Sequence, residues 1–226
     1  MPPLLIPLML TLKVAVCATL VACIFGLGAG YWLARTRMPG RDTADALLLL
    51  PLVLPPTVLG YYLLVAFGRS SPFGAWLEDA LGIHLIFTWQ GAAAAAAVVA
   101  FPLIFKASHA AFEAVDPTLE KAGRALGYGR WTVFARVTLP LAWRGIVAGA
   151  MLAFARAMGE FGATLMVAGN IPGRTQTVSI AIYEAMNAGD DRLAGALVAI
   201  VSLLCVAMLV AAGRLARRGH LRVAPL

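Results

Sequence analysis

Arg156 and Glu160 are ionisable residues that lie deep inside a long apolar run. They are four positions apart, so a helix would place them on one face, where they can form an ion pair. Charged residues inside a membrane span mark functional sites by default. The alternative is that the two charges neutralise each other where helices or subunits pack. This alternative is slightly favoured, because a permanently paired arginine binds an anion poorly.

The residue patterns that support enzymatic chemistry are absent from the sequence. No segment has the G-x-x-x-x-G-K-[ST] spacing that cradles phosphates, so we do not expect this chain to hold ATP. Its three histidines and three cysteines lack the spacing of a metal site or a disulfide framework. The sequence therefore predicts no catalytic residue, no metal ion and no cofactor on this chain, which is not expected to be an enzyme.

The composition indicates an integral membrane protein. Of the 226 residues, 61% are hydrophobic and 13% are charged, whereas soluble domains have roughly 45–50% apolar and about 25% charged residues. The formal net charge of +7 could suggest a nucleic-acid partner. The basic residues, however, stand beside apolar runs, which is typical of cytoplasmic membrane loops. We expect a lipid membrane and no nucleic acid as partner.

Five apolar stretches are long enough to cross a bilayer core of about 30 Å as helices. They cover approximately residues 10–34, 46–68, 85–107, 141–168 and 193–213. A signal peptide is excluded for the first stretch, because no Lys or Arg precedes it and the apolar run is too long. The sequence predicts an all-α membrane protein, a polytopic bundle of about five transmembrane helices in a single domain, 1–226.

The positions of Lys and Arg predict the orientation in the membrane. The connection after the first span, the segment between the third and fourth spans and the C-terminal tail are basic. Their basic residues include Arg35, Arg37, Arg41, Lys106, Lys121, Arg124, Arg130, Arg136, Arg214, Arg217, Arg218 and Arg222. We expect this side to be cytoplasmic, with the N-terminus outside and the C-terminus inside the cell.

Prolines interrupt the second span at Pro51, Pro55 and Pro56. Each proline removes a backbone donor and disturbs the preceding turn. In lipid, such a break is tolerated where the freed carbonyls face protein or a water-filled cavity. The sequence leaves two interpretations equally open, a helix that lines a pathway and a simple structural kink.

The segment 115–140 is too polar to cross the membrane and too patterned to be a linker. Asp116 and Pro117 predict a helix start, with an N-cap acceptor followed by proline at the first helical position. An apolar stripe follows at helical spacing, and the helix is expected to end at Gly127 and Gly129. The stripe consists of Leu119, Ala122, Gly123 and Leu126. A second helix is predicted from Arg130 to Pro140.

Residues 120–127, with the sequence EKAGRALG, and 137–140, with the sequence VTLP, resemble the cytoplasmic loop of permeases from ATP-binding-cassette importers. The family motif has Glu-Ala-Ala, then a glycine, and further on an aliphatic residue, a variable residue, Leu and Pro. Lys121 and Gly123 depart from its first and third positions, and Glu120 stands one place early. The resemblance implies a coupling helix that contacts a cytoplasmic ATPase. Its coupling residues would be Glu120, Ala122, Gly123, Leu126 and Gly127.

Three further segments resemble the molybdate permeases of these importers: 52–61 (LVLPPTVLGY), 159–164 (GEFGAT) and 169–177 (GNIPGRTQT). The likeness runs in order over essentially the whole chain. It implies a type I importer permease in the bacterial inner membrane that works as a homodimer with a cytoplasmic ATPase dimer and an extracytoplasmic molybdate-binding protein. Sulfate, thiosulfate or tungstate permeases remain alternatives within the class. A standalone channel or membrane scaffold is the alternative from another class, and it does not account for the patterned cytoplasmic helix.

A transport pathway must bind its ion weakly enough to release it, which favours hydroxyl groups and backbone donors over a tight cationic cage. Thr57, Thr164 and Asn170 are candidates of this kind. The complete set of predicted pathway residues is Pro55, Pro56, Thr57, Arg156, Glu160, Thr164 and Asn170.

Overall fold

The computed structural model describes residues 4–36 and 39–220, and every regular element within these ranges is helical. The helices are α1 (Leu5–Arg35), α2 (Arg41–Val53), α3 (Pro56–Phe67), α4 (Pro72–Leu81), α5 (Trp89–Glu113), α6 (Pro117–Ala125), α7 (Arg130–Val133), a π-helical segment (Phe134–Thr138), α8 (Leu139–Met158), α9 (Gly162–Ala168), α10 (Val178–Asn187) and α11 (Asp191–His220). Arg37 and Arg222, used above to predict the orientation, lie outside the described residues.

Within the described ranges, four helices are long and apolar enough to cross a membrane: α1, α5, the continuous Arg130–Met158 helix and the Asp191–Arg214 part of α11. The α2–α3 pair passes the same test when taken together. The prediction of an all-α bundle of about five spans is therefore confirmed.

Small residues bring the central helices α1, α5 and α8 into close contact. A Cβ on Gly26 of α1 would lie 2.8 Å from the Ile104 side chain of α5, and one on Gly145 of α8 would lie 2.8 Å from Cβ of Ala111. The Ser108 hydroxyl of α5 donates to the Gly26 carbonyl over 2.9 Å. Lipid tails are as apolar as the helix surfaces, so the hydrophobic effect does not drive helices together in a membrane. They associate instead through close backbone packing at small residues such as these.

The second predicted span, 46–68, is interrupted at its prolines, as the sequence predicts. It consists of α2 and α3, which meet at an angle of 103°. Leu54 and Pro55 are extended between them, with ψ angles of 138° and 136°. Residues before proline are driven out of the α region, so the Pro55–Pro56 pair breaks the helix. Pro51 lies inside α2 and does not end it.

The fourth predicted span, 141–168, and the preceding helix predicted to stop at Pro140 are corrected. The helix runs through Pro140 and ends at Met158. It passes the proline by widening one turn, in which the Leu139 N–H donates to the carbonyl of Phe134 five residues earlier. A π-turn of this kind lets the helix continue past a residue that has no backbone N–H to donate. The chain then turns at 159–161, and α9 is a separate helix.

The remaining bounds differ less from the prediction. The third span begins at Trp89 rather than at 85, because the Thr88 hydroxyl caps α5 by accepting the Gly91 N–H. It continues to Glu113, and the fifth span begins at Asp191. The short helices α4 and α10 were not predicted. Ser71 caps α4 by accepting the Gly74 N–H over 2.8 Å.

The directions of the helices define two ends of the bundle. Lys13 lies over Trp89, and Gly26 packs against Ile104, so α1 and α5 run parallel. Gly145 and Gly149 of α8 pack against Ala111 and Ala107, so α8 runs antiparallel to α5. We call the end that holds Arg35, Glu113 and α6 the coupling end. The opposite end holds the N-termini of α1 and α5 and the loop 169–177.

Candidate functional site

Helix α6 begins where the sequence predicts. The Asp116 carboxylate accepts the Thr118 N–H over 2.8 Å, and Pro117 occupies the first turn. This hydrogen bond holds the pKa of the Asp116 carboxyl below its usual range. Leu126 follows the helix, and Gly127 turns the chain with φ of +85°. Glycine adopts this left-handed conformation without the steric cost that a side chain would add.

Glu120 fixes α6 to the rest of the protein. The residue is 2% exposed, and one carboxylate oxygen accepts hydrogen bonds from the Arg35 guanidinium at 2.7 Å and from the Thr138 hydroxyl at 2.8 Å. Arg124 lies 3.5 Å from the other oxygen and is half-exposed. One buried carboxylate thus joins α6, the end of α1 and the π-helical segment.

The predicted apolar stripe of α6 is divided between two faces. Gly123 is buried, and a Cβ there would meet the Val133 side chain at 3.1 Å, so this position packs against α7. Leu119 and Leu126 are 47% and 78% exposed, and Ala122 is exposed as well. Of the four residues in the predicted stripe, Gly123 therefore faces its own chain, and its small size lets α6 rest on α7. Leu119, Ala122 and Leu126 stay exposed.

Sequence reasoning missed Arg35 and Thr138 as functional residues. The Arg35–Glu120 pair joins positions 85 residues apart, and no local spacing reports it. The sequence carried one signal that Glu120 is buried. Glu120 and Gly123 are three residues apart, so they lie on the same face of the helix.

A second set of ion pairs joins α2 to α5 at the coupling end. Arg41 contacts Glu113 at 2.7 Å and the His109 ring at 2.9 Å, and Lys106 contacts Asp45 at 2.6 Å. These contacts hold the first turns of α2 antiparallel to α5. They were not predicted either.

The two helix breaks lie against each other. A Cβ on Gly162, at the start of α9, would lie 3.0 Å from Cβ of Pro56, and one on Gly60 of α3 would lie 2.8 Å from Cβ of Met166. The end of α8 is level with the middle of α5, because Ala153 and Ala157 pack in one cluster with α5 alanines. Broken helices meet in the middle of the bundle here. Pro55, Pro56 and Thr57 are exposed on this single chain.

Arg156 and Glu160 form the predicted ion pair, at 2.8 Å. Glu160 is 2% exposed, and its other oxygen accepts the Ala163 N–H over 2.9 Å. The carboxylate therefore also caps the start of α9, where free backbone N–H groups favour a negative charge. Both contacts hold the turn between α8 and α9.

Thr164 and Asn170 have different surroundings in the structure. Thr164 is 1% exposed, and its hydroxyl is buried without a hydrogen-bond partner within the described chain. The Asn170 amide donates to Glu184 at 2.5 Å and accepts from Gln176 at 3.0 Å. Asn170 thus stabilises the loop 169–177 at the end opposite α6. Among the described residues, no group of three His, Cys, Asp or Glu could hold a metal ion.

Comparisons with solved structures report the same architecture. A chain of the MetNI methionine ABC transporter in an inward-facing conformation aligns with a TM-score of 0.71 at 20% identity, covering 96% of this chain and 95% of that one. A chain of a bacterial alginate ABC transporter, in complex with an alginate pentasaccharide-bound periplasmic protein, aligns with a TM-score of 0.74 at 15% identity, covering 96% and 80%. At these identities the likeness establishes the fold.

Sequence comparisons establish the family. The chain is 46% identical over 195 residues to the molybdenum transport system permease protein ModB of Escherichia coli (strain K12), covering 86% of this chain and 85% of that protein. It is 34% identical over 213 residues to the sulfate transport system permease protein CysT of the same strain, covering 94% and 76%. The sequence model of one family matches residues 3–219. The chain therefore belongs to the binding-protein-dependent transport system inner membrane components, the permeases of ATP-binding-cassette importers.

Proposed function

We propose that this chain is the membrane subunit of a molybdate importer. The observation that carries the proposal is the 46% identity to a molybdenum permease over most of both chains, combined with an α6 helix that is locked in place and offers an exposed face. The substrate would be delivered by an extracytoplasmic molybdate-binding protein. The energy would come from a cytoplasmic ATPase dimer.

We further propose that 1–226 forms one permease domain and that two copies form the pathway. One chain with about five spans is small for a pathway, and the broken α2–α3 helix leaves Pro55, Pro56 and Thr57 uncovered. A second copy that covers this surface would enclose a path along the two helix breaks. The N-terminus would be outside and the coupling end cytoplasmic, in agreement with the basic residues there.

Three roles can be proposed for the predicted pathway residues. Thr57 at the start of α3 is exposed and offers a hydroxyl to a passing anion. Arg156 and Glu160 are paired, and Glu160 caps α9, so we assign them to holding the break rather than to binding the ion. Asn170 is assigned to the loop that it stabilises.

Transport by the reconstituted complex tests this function. The chain, its ATPase and its binding protein are placed in proteoliposomes, and uptake of labelled molybdate is measured with and without ATP. We expect ATP-dependent uptake that a tenfold excess of unlabelled molybdate suppresses and the same excess of sulfate does not. Uptake without ATP would support the standalone channel instead.

A sulfate permease is the second candidate, because the chain is 34% identical to CysT over 213 residues. The same vesicles distinguish the two functions. Uptake of labelled sulfate that molybdate fails to suppress would overturn the molybdate assignment while leaving the permease function intact.

A further inference from the structure

A polar cavity lies at the end of the bundle opposite the coupling helix. It has a volume of about 390 Å³ and lies between the first half of α1, the start of α5 and the loop 169–177. Its walls include Lys13, Phe87, Trp89, Gln90, Arg174 and Thr175. The loop belongs to the segment GNIPGRTQT, to which the transport mechanism above gives no role.

The cavity carries two positive charges. The Lys13 ammonium lies 3.6 Å from the centre of the Trp89 ring, and Arg174 enters from the loop. No Asp or Glu lines the cavity, and neither cation forms an ion pair with a carboxylate among the described residues. Two cations that share a cavity without a counter-charge create a site of positive potential that favours an anion.

The loop that carries Arg174 is held rigidly. The Thr175 side chain is buried, and its hydroxyl accepts the Ile171 N–H over 3.0 Å. The Ile171 carbonyl accepts the backbone N–H groups of Arg174, Thr175 and Gln176. A rigid loop positions a charged side chain with less loss of entropy on binding than a mobile one.

Another residue that lines the cavity has a costly conformation. Phe87 has φ of +58°, and its N–H donates to the Val167 carbonyl over 3.0 Å. A residue with a side chain at positive φ persists only where its surroundings fix it, and such residues cluster at functional sites. Here it joins the segment before α5 to α9 and lines the cavity next to Thr88.

We propose that this cavity binds a tetrahedral oxyanion through Lys13 and Arg174. The Gln90 side chain, which is exposed beside them, supplies a neutral amide donor. The anion has two sources, a free oxyanion from the solution and the phosphate of a phospholipid headgroup at the membrane surface. The site is separate from the two helix breaks, and it does not depend on which anion the importer carries.

Binding to the full chain in nanodiscs tests the proposal. In phosphatidylcholine nanodiscs, equilibrium dialysis with labelled molybdate, sulfate and phosphate measures the free oxyanion. In nanodiscs that contain phosphatidylglycerol, native mass spectrometry measures the retained anionic lipid. The variant is Lys13→Gln/Arg174→Gln. The control is Arg192→Gln, which removes one positive charge from an exposed position at the start of α11, outside the cavity.

We expect the double variant to lose at least tenfold in affinity for an oxyanion, or to lose the retained phosphatidylglycerol, while Arg192→Gln behaves as the original chain. The first loss identifies a free oxyanion and the second a headgroup. Unchanged binding in both arms would overturn the proposal. The difference between variants is the measured quantity, so an anion bound in the pathway contributes equally to both.

The charge-conserving variant Lys13→Arg/Arg174→Lys guards against a folding defect. It must retain binding, and loss of binding in this variant at unchanged thermal stability would show that positive charge is not the determinant. Failure of the molybdate assignment would appear differently. The chain would then fail to transport molybdate, and the cavity variants would still differ in binding sulfate or phosphate.

Discussion

At the residue scale, buried carboxylates determine how the breaks and junctions of this permease are held. Glu120 accepts hydrogen bonds from Arg35 and Thr138, and Glu160 forms an ion pair with Arg156 and accepts the Ala163 N–H. Each carboxylate joins segments that no helical hydrogen bond connects. Because a buried charge is costly when unpaired, each site depends strongly on its arginine.

The two arginines beside Glu120 provide a matched comparison. Arg35 is 20% exposed and lies 2.7 Å from the carboxylate, whereas Arg124 is 52% exposed and lies 3.5 Å away. We expect Arg35→Met to destabilise the chain by about 3 kcal/mol, since it leaves Glu120 buried without its main partner. Arg124→Met should cost no more than about 1 kcal/mol, as for exposed ion pairs. Thermal unfolding in detergent measures both.

Transport adds a second readout to this comparison. If Glu120 holds α6 in the orientation that couples to the ATPase, Arg35→Met should lower ATP-driven uptake far more than Arg124→Met. Equal effects of the two substitutions would show that the Glu120 contact does not position α6.

The Arg156–Glu160 pair makes a further prediction. Arg156→Met leaves Glu160 buried with only the Ala163 N–H as partner, and we expect it to lower stability by roughly 3 kcal/mol. The double variant Arg156→Met/Glu160→Gln keeps an acceptor at the start of α9 and removes both charges. It should regain most of the loss. A double variant with normal stability and no transport would instead assign the pair a direct role in passage.

At this scale the sequence predicted contacts only when they are local. The Arg156–Glu160 pair was predictable because a helix places residues four apart on one face. The Arg35–Glu120 contact was not, since it depends on how α1, α6 and the π-helical segment meet. The hydroxyl of Thr164 was expected in the pathway, yet it is buried within one chain. Its position depends on the turn at 159–161, which cannot be recognised within the apolar run 141–168.

At the element scale, hydropathy predicted how many helices cross the membrane but not where they break. The run 141–168 is apolar across the turn at 159–161, and only the backbone shows that α8 ends at Met158. Pro55 and Pro56 predicted a break in the second span, which the structure has as a 103° bend. Pro140 predicted a helix end that does not occur, because a π-turn accommodates it. Proline alone does not determine which outcome follows.

Helix α6 carries the prediction that matters most at this scale. Ala122 is exposed, so Ala122→Asp should leave the chain folded. Its carboxylate would lose solvation at a contact with the ATPase, at a cost of about 1–3 kcal/mol or more if unpaired. We expect the variant to insert and dimerise, to co-purify with less ATPase and to lose transport. Ala122→Ser is the conservative control. Wild-type co-purification of the Ala122→Asp variant would exclude this face as the ATPase contact.

Gly127 tests the same helix through its backbone. Its φ is +85°, and a Cβ there would meet nothing within 4 Å, so the cost of a side chain is conformational and not steric. We expect Gly127→Val to shift the end of α6 and weaken ATPase association, at a cost of about 1–2 kcal/mol. Gly127→Asn should be milder, because asparagine tolerates this conformation. Equal ATPase binding by both variants and the original chain would contradict this role for the turn.

At the scale of the whole molecule, the parallel packing of α1 and α5 determines the path of the chain between them. Lys13 lies over Trp89 near one end of the bundle, and the Arg35 guanidinium lies 3.4 Å from the Val115 carbonyl near the other. The chain therefore returns from the coupling end to the opposite end between Thr36 and Thr88. The bent α2–α3 pair must supply this crossing, and we infer that it traverses the membrane rather than re-entering on the same side.

The crossing leads to the final prediction, on topology. Cysteines are introduced at Ser70, Pro172 or Tyr128 after Cys17, Cys23 and Cys205 are replaced by alanine. Ser70 is chosen because its neighbour Ser71 caps α4, and all three positions are exposed. If α2–α3 crosses, an impermeant thiol reagent added to intact cells should label positions 70 and 172 together. Position 128, beside α6, should react only after the membrane is opened. Labelling of 172 without 70 would mean that α2–α3 re-enters, and labelling of 128 from outside would contradict a cytoplasmic coupling helix.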